Sequence, residues 1–84
     1  MRLNIRAFAL ALGIHWGLGC FIMGLAGIKH EAPATFVRTV GTMYYGYAPT
    51  PLGSIAGMFW GFLDAAVAGA LLAWLYNMLL KRFV

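Results

Sequence analysis

LGSIAGMFWGFLDAAVAGALLAWLYNMLL, residues Leu52 to Leu80, is a run of 29 residues with one charged side chain, Asp64. A helix crosses a bilayer in about 20 residues at ~1.5 Å each. The run is therefore long enough to span a membrane and must tilt or extend into the interface. Within it, small residues recur at four-residue intervals: Gly53, Gly57, Gly61, Ala65, Gly69 and Ala73. Such a stripe lets another helix approach backbone to backbone, because no Cβ bulk holds it away. Four residues turn a helix by ~400°, so the stripe drifts ~40° per step and cannot face one straight partner throughout. The expectation is two neighbours, one for Gly53 to Gly61 and another for Gly69 to Ala73. One could be the first span and the other a second subunit.

A second stretch, Ala7 to Ile28, holds 22 residues without a fixed charge. It also qualifies as a span, and its Gly13 and Gly17 form a small pair that permits close packing against the stripe. With 63% hydrophobic residues in a chain of 84, a soluble fold has too little core to bury its apolar surface. The expected architecture is all-α and membrane-integral: one unit, residues 1–84, forming an antiparallel hairpin. Its spans run about 7–28 and 51–80, joined by a loop over 29–50. Arg2 and Arg6 before the first span, and Ala32-Pro33-Ala34 after it, imitate a signal peptide. A signal core is shorter, roughly 7–15 residues, so a retained anchor is expected. Cys20 is the single cysteine, which excludes an internal disulfide framework or a thiolate-rich metal site.

Six Lys and Arg against two acids give a net charge of +4. Arg2, Arg6, Lys81 and Arg82 flank the outer ends of the two spans, while the loop carries Lys29, Arg38 and Glu31. That asymmetry predicts cytoplasmic termini and an external loop. Basic groups so placed set topology and attract anionic lipid. The expected surroundings are the lipid bilayer, copies of the chain or helices of a larger membrane complex, and no nucleic acid.

The loop has its own periodicity. Phe36, Val40, Met43, Tyr44 and Tyr47 recur at helical spacing, with Glu31 and Pro33 suited to a first turn. This predicts a short amphipathic helix over about Pro33 to Tyr45 on the outer membrane face; an irregular loop is the alternative. Thr50 and Pro51 read as the N-cap and first position of the second span. Tyr44, Tyr45 and Tyr47 at one end, and Trp74 and Tyr76 at the other, read as interfacial anchors.

Three polar groups lie deep in the spans. Asp64 follows Trp60 by four residues, and an indole N–H at that depth wants an acceptor, so a Trp60–Asp64 bond is expected. Asp64 reads either as a pore or proton group or as a hydrogen-bond clamp, protonated or paired, that fixes helix register. His15 is expected ~9 Å nearer the cytoplasmic side than Asp64 by helix rise, which disfavours pairing within one hairpin. Ala11, one turn before His15, leaves room for a flat macrocycle, so His15 is the candidate tetrapyrrole ligand. A packing histidine is the simpler reading, and no cofactor is expected. No nucleophile–base set, phosphate loop or multi-ligand metal cluster is present in the sequence, and no enzymatic activity is expected.

Tyr44-Tyr45-Gly46-Tyr47, Gly53-Ser54, Trp60-Gly61-Phe62-Leu63-Asp64 and Ala73-Trp74-Leu75-Tyr76-Asn77 resemble motifs of a family of small prokaryotic two-span membrane proteins labelled bacteriophage holin. The N-terminal LNIRAFALALGIHWGLG is also similar, so the resemblance covers nearly the whole chain. Ala65 departs from it, standing where a glycine is usual. The resemblance implies subunits that assemble in the cytoplasmic membrane into a lesion. An accessory subunit of an energy-converting or photosynthetic complex is the alternative, with the stripe docked on a foreign helix and Asp64 as its clamp. A proton-carrying ring subunit is a third reading, and the long aromatic loop and inside termini argue against it.

Overall fold

Residues 2–83 are described by a computed structural model, and among them are three α-helices and no strand. Helix α1 (Ile5–Ala26) starts at Asn4, whose side chain accepts the Ala7 N–H at 3.0 Å. That cap satisfies one of the first-turn donors a helix leaves unpaired. Helix α2 (Glu31–Val40) carries an exposed Arg38–Glu31 ion pair at 3.0 Å, which contributes at most about 1 kcal/mol. Helix α3 (Pro51–Phe83) begins as its sequence predicts: Thr50 Oγ1 accepts the Gly53 N–H at 2.9 Å, and Pro51, lacking an N–H, sits in the first turn. Both α1 and α3 are long and apolar enough to cross a membrane.

The two long helices pack in opposite directions. A Cβ on Gly24 would collide with Ser54, one on Gly17 would lie 2.9 Å from the Met58 carbonyl oxygen, and one on Gly69 would lie 3.1 Å from the Ala9 Cα. Residue numbers rise along α3 as they fall along α1, so the helices are antiparallel. At Gly13 and Gly17 the nearest obstacle is backbone, the carbonyls of Phe62 and Met58. A side chain can rotate away, but a helix carbonyl cannot, so these glycines set the interhelical distance. At the ends farthest from α2, Asn77 locks the register. Its Oδ1 accepts the Leu3 N–H and its Nδ2 donates to the Leu3 carbonyl, both at 2.8 Å.

All six stripe residues are buried within the single chain, and Asn77 extends the same four-residue row. The outer portion meets the loop: Gly53 abuts Ala48, and Gly57 lies under the Tyr47 ring. Further along, Gly61 abuts Trp16, Gly17 and Cys20, and Gly69 abuts Ala9 and Leu12. Within the chain the stripe thus has two neighbours, the loop and α1, and the division between them falls after Gly57 rather than after Gly61. The drift is absorbed because α1 stops at Ala26 and the segment after α2 folds back to cover the first turns of α3.

The loop helix is shorter than expected and its buried face is rotated. Val37 and Ala34 are its buried residues, Phe36 and Val40 pack partly against the core, and Met43 is 75% exposed. Helix α2 stops at Gly41 because the returning chain needs the space: a Cβ there would lie 2.8 Å from the Tyr47 carbonyl oxygen. Gly46, at φ +85°, then supplies the left-handed residue of the turn that brings Tyr47 back.

A candidate polar docking site at mid-helix

Asp64 lies thirteen residues beyond Pro51, ~20 Å along α3 by helix rise. Its partner comes from the loop. Tyr44 Oη donates to Asp64 Oδ2 at 2.6 Å and accepts the Trp16 indole N–H at 3.0 Å. The expected Trp60–Asp64 bond does not form; Trp60 Nε1 donates to the Tyr45 carbonyl at 2.8 Å instead. The Trp60 ring then stacks on Tyr44, with centroids 6.4 Å apart and planes 16° apart. This frees the carboxylate for the phenol, a donor delivered from above rather than from one turn away on the same helix.

Tyr47 is the second pin. Its Oη donates to the Cys20 carbonyl at 2.6 Å, and its ring occupies the space that the absent Gly57 side chain leaves open. Tyr44 and Tyr47 are therefore buried, not interfacial anchors, whereas Tyr45, Trp74 and Tyr76 are exposed. Burial, reinforced by the bond to Asp64, pushes the Tyr44 phenol up to about 12. Burial, followed by the nearby Cys20, likewise raises Tyr47. Both phenols are consequently neutral donors at ordinary pH.

His15 is also brought to Asp64. Gly13 abuts Phe62 and Gly17 abuts Met58 and Gly61, so His15 lies level with the turn of α3 that precedes Asp64. The two line one open groove together with Leu12, Trp16, Ala65 and Ala68. The expectation from helix rise placed the two ~9 Å apart in level. Leu3 bonding to Asn77 moves α1 outward along α3 and removes most of that offset. Asp64 is exposed on this face and also borders a second groove, lined by Met43, Tyr44, Trp60, Leu63 and Val67.

The chemistry available is hydrogen bonding: a carboxylate with one oxygen held by Tyr44, beside an exposed imidazole. No group of three or more metal-ligating side chains occurs among the described residues. His15 stands as the candidate cofactor ligand with Ala11 one turn before it, and Asp64, Trp16 and Leu12 share its groove. Ala65 and Ala68 complete that lining, which is mostly apolar. Tyr44, expected at the interface, is the residue of this site whose buried position sequence reasoning missed. The signal that could have found it was the need of a deep carboxylate for a donor, with three tyrosines in the loop above it. No known family model, curated protein or solved structure matches the chain.

Proposed function

We propose that this chain is a two-span antiparallel hairpin of the cytoplasmic membrane that acts by helix–helix assembly, the holin-like mode its sequence resemblance implies. Four basic residues at the termini against two in the loop favour cytoplasmic ends. Trp74 and Tyr76 then meet the inner interface, while α2 and Tyr45 lie toward the outer one. No enzymatic activity is proposed.

The observation that carries this reading is the exposed Asp64, with His15 opening on the same groove. An ionisable side chain facing lipid at mid-span is costly, about 2.5–3.5 kcal/mol on insertion scales, and such groups face protein or water. In a two-fold pair with its axis along the membrane normal, each residue keeps its depth. His15 of one copy then meets Asp64 of the next, and the reverse, across a groove where Ala65 and Ala68 allow close approach. The buried stripe builds the subunit, and the polar edge joins subunits.

A different observation favours the accessory-subunit reading. Apart from this edge, the middle of the exposed surface is bulky and apolar, including Ile14, Leu18, Phe59, Leu63 and Val67. A water-lined lesion needs a polar wall, which this surface does not offer; a dry packed interface does not need one. Cross-linking of the purified chain in bilayers, with Asp64→Asn and Asp64→Leu, tests the self-assembly reading. Self-assembly retained in the Asn variant and lost in the Leu variant supports it. Monomers throughout, with stoichiometric recovery of a larger complex from mild detergent, favour the accessory role. Dye leakage from vesicles is expected only of the lesion-forming mode.

A further inference from the structure

The ends of the chain meet in a groove lined by Arg2, Ile5, Trp74, Asn77, Met78 and Lys81. It exists because of the two hydrogen bonds between Leu3 and the Asn77 amide, which hold the N-terminal segment against the last turns of α3. Asn77 is itself buried, at 6% exposure, and both ends of its amide are occupied by Leu3. It is a positioning residue. The groove it builds has two characters, joining the cationic Arg2 and Lys81 to the apolar Ile5, Trp74 and Met78.

Among the described residues, the charged side chains at this end are all basic. Arg6 and Arg82 lie beside the groove residues in sequence, and neither acidic side chain is near. Glu31 is in α2, and Asp64 precedes Lys81 by seventeen residues, ~25 Å of helix. The exposed carbonyls at the end of α3 account for Lys81 and Arg82 in its last turn. They do not account for Arg2, which arrives from the other end of the chain. Two cations brought from separate segments to one groove with apolar side chains match an anion carrying a hydrocarbon tail.

We propose that this groove binds a phosphodiester anion, supplied by an anionic phospholipid, with the headgroup on Arg2 and Lys81 and an acyl chain along Ile5, Trp74 and Met78. The proposal rests on the membrane reading of the chain, which extraction tests separately. If the expressed chain is soluble without detergent, that reading fails irrespective of any lipid measurement.

Native mass spectrometry of the full chain in detergent, titrated with phosphatidylglycerol, phosphatidylcholine or inorganic phosphate, tests the site. A one-to-one phosphatidylglycerol adduct is expected, with phosphatidylcholine much weaker. Loss of a charge-assisted hydrogen bond in Arg2→Gln or Lys81→Gln should lower that affinity at least about tenfold. Asn77→Leu keeps every charge and releases the clamp, so it should lower affinity as well. Arg6→Gln removes the same charge outside the groove and should have a clearly smaller effect. Equal losses in Arg2→Gln, Lys81→Gln and Arg6→Gln would mean diffuse attraction and overturn the site. Equal binding of the two lipids would overturn it too, and competition by millimolar inorganic phosphate alone would overturn the lipid as its source. Should Asn77→Leu fail to fold, the three charge variants decide the matter without it.

Discussion

Tyr44 Oη and Asp64 Oδ2 stand 2.6 Å apart, joining the turn after α2 to the middle of α3. The same oxygen accepts the Trp16 indole N–H from α1, so one hydroxyl bridges three segments of the chain. Tyr44→Phe keeps the ring and its stacking on Trp60 but leaves Trp16 and Asp64 without their partner. An unsatisfied group in a partly desolvated site costs about 1–3 kcal/mol, so a loss of that size is expected in denaturant unfolding from micelles. A shift of Trp16 fluorescence should accompany it. Unchanged stability and emission would show that the bridge contributes nothing.

Burial and the Asp64 bond together place Tyr44 at about 12, above its ordinary value of 10.0. The folded protein therefore holds this proton more tightly than the unfolded chain does. Above pH ~10 the unfolded state binds fewer protons than the folded one, and stability falls as pH rises through the folded value. Melting temperatures should decline between pH ~10 and ~12, fully stable protein being present below that window. Tyr44→Phe should flatten the decline, with Tyr47 supplying what remains. A Tyr44→Phe profile parallel to that of the wild type would assign the transition elsewhere.

Gly17 and Gly19 lie two residues apart on α1 and predict opposite outcomes. A Cβ on Gly17 would sit 2.9 Å from the Met58 carbonyl oxygen, whereas one on Gly19 would meet nothing within 4 Å. Gly17→Ala must push α1 from α3 and should destabilise by about 1–3 kcal/mol. Gly19→Ala removes backbone freedom from the unfolded chain at no steric cost and should be neutral or stabilising by up to about 1 kcal/mol. Equal effects in an unfolding titration would contradict the packing face assigned to α1.

How much of the fold and the site is legible in the sequence follows from the range of each interaction. The two long helices were legible because run length and absence of charge are local properties, and the start of α3 was legible in Thr50-Pro51. The stripe was visible as a packing surface, but its covering by Tyr47 and Ala48 depends on where the chain returns after Gly46. Tyr44 and Tyr47 were misassigned because aromatic residues near span ends are usually anchors, and nothing local distinguishes a tyrosine that turns inward. The level of His15 was wrong because register is set at the far end by Asn77 and Leu3, 74 residues apart. Each residue of register error shifts a side chain's level by ~1.5 Å, and no local signal fixes the register, so relations across the two long helices were the least legible.

Gly57 and Tyr47 offer the sharpest test of the returning loop, because their interaction is purely steric. A Cβ on Gly57 would run into the Tyr47 ring, and the ring cannot easily yield while its hydroxyl is held by the Cys20 carbonyl at 2.6 Å. Gly57→Ala in the wild-type chain should therefore be destabilising, despite the better helix propensity of alanine. In a Tyr47→Ala background the obstacle is gone, and the same change should be neutral or favourable. The two substitutions should couple by about 0.5–3 kcal/mol, the range for residues in direct contact. The cycle needs four proteins unfolded under one micellar condition, and the sign of the coupling is what matters. If Gly57→Ala costs as much without the tyrosine as with it, the loop does not cover α3, and the outer half of the stripe is free for another helix. A coupling that makes the double variant more stable than the sum of the singles places Tyr47 on Gly57 and closes that surface.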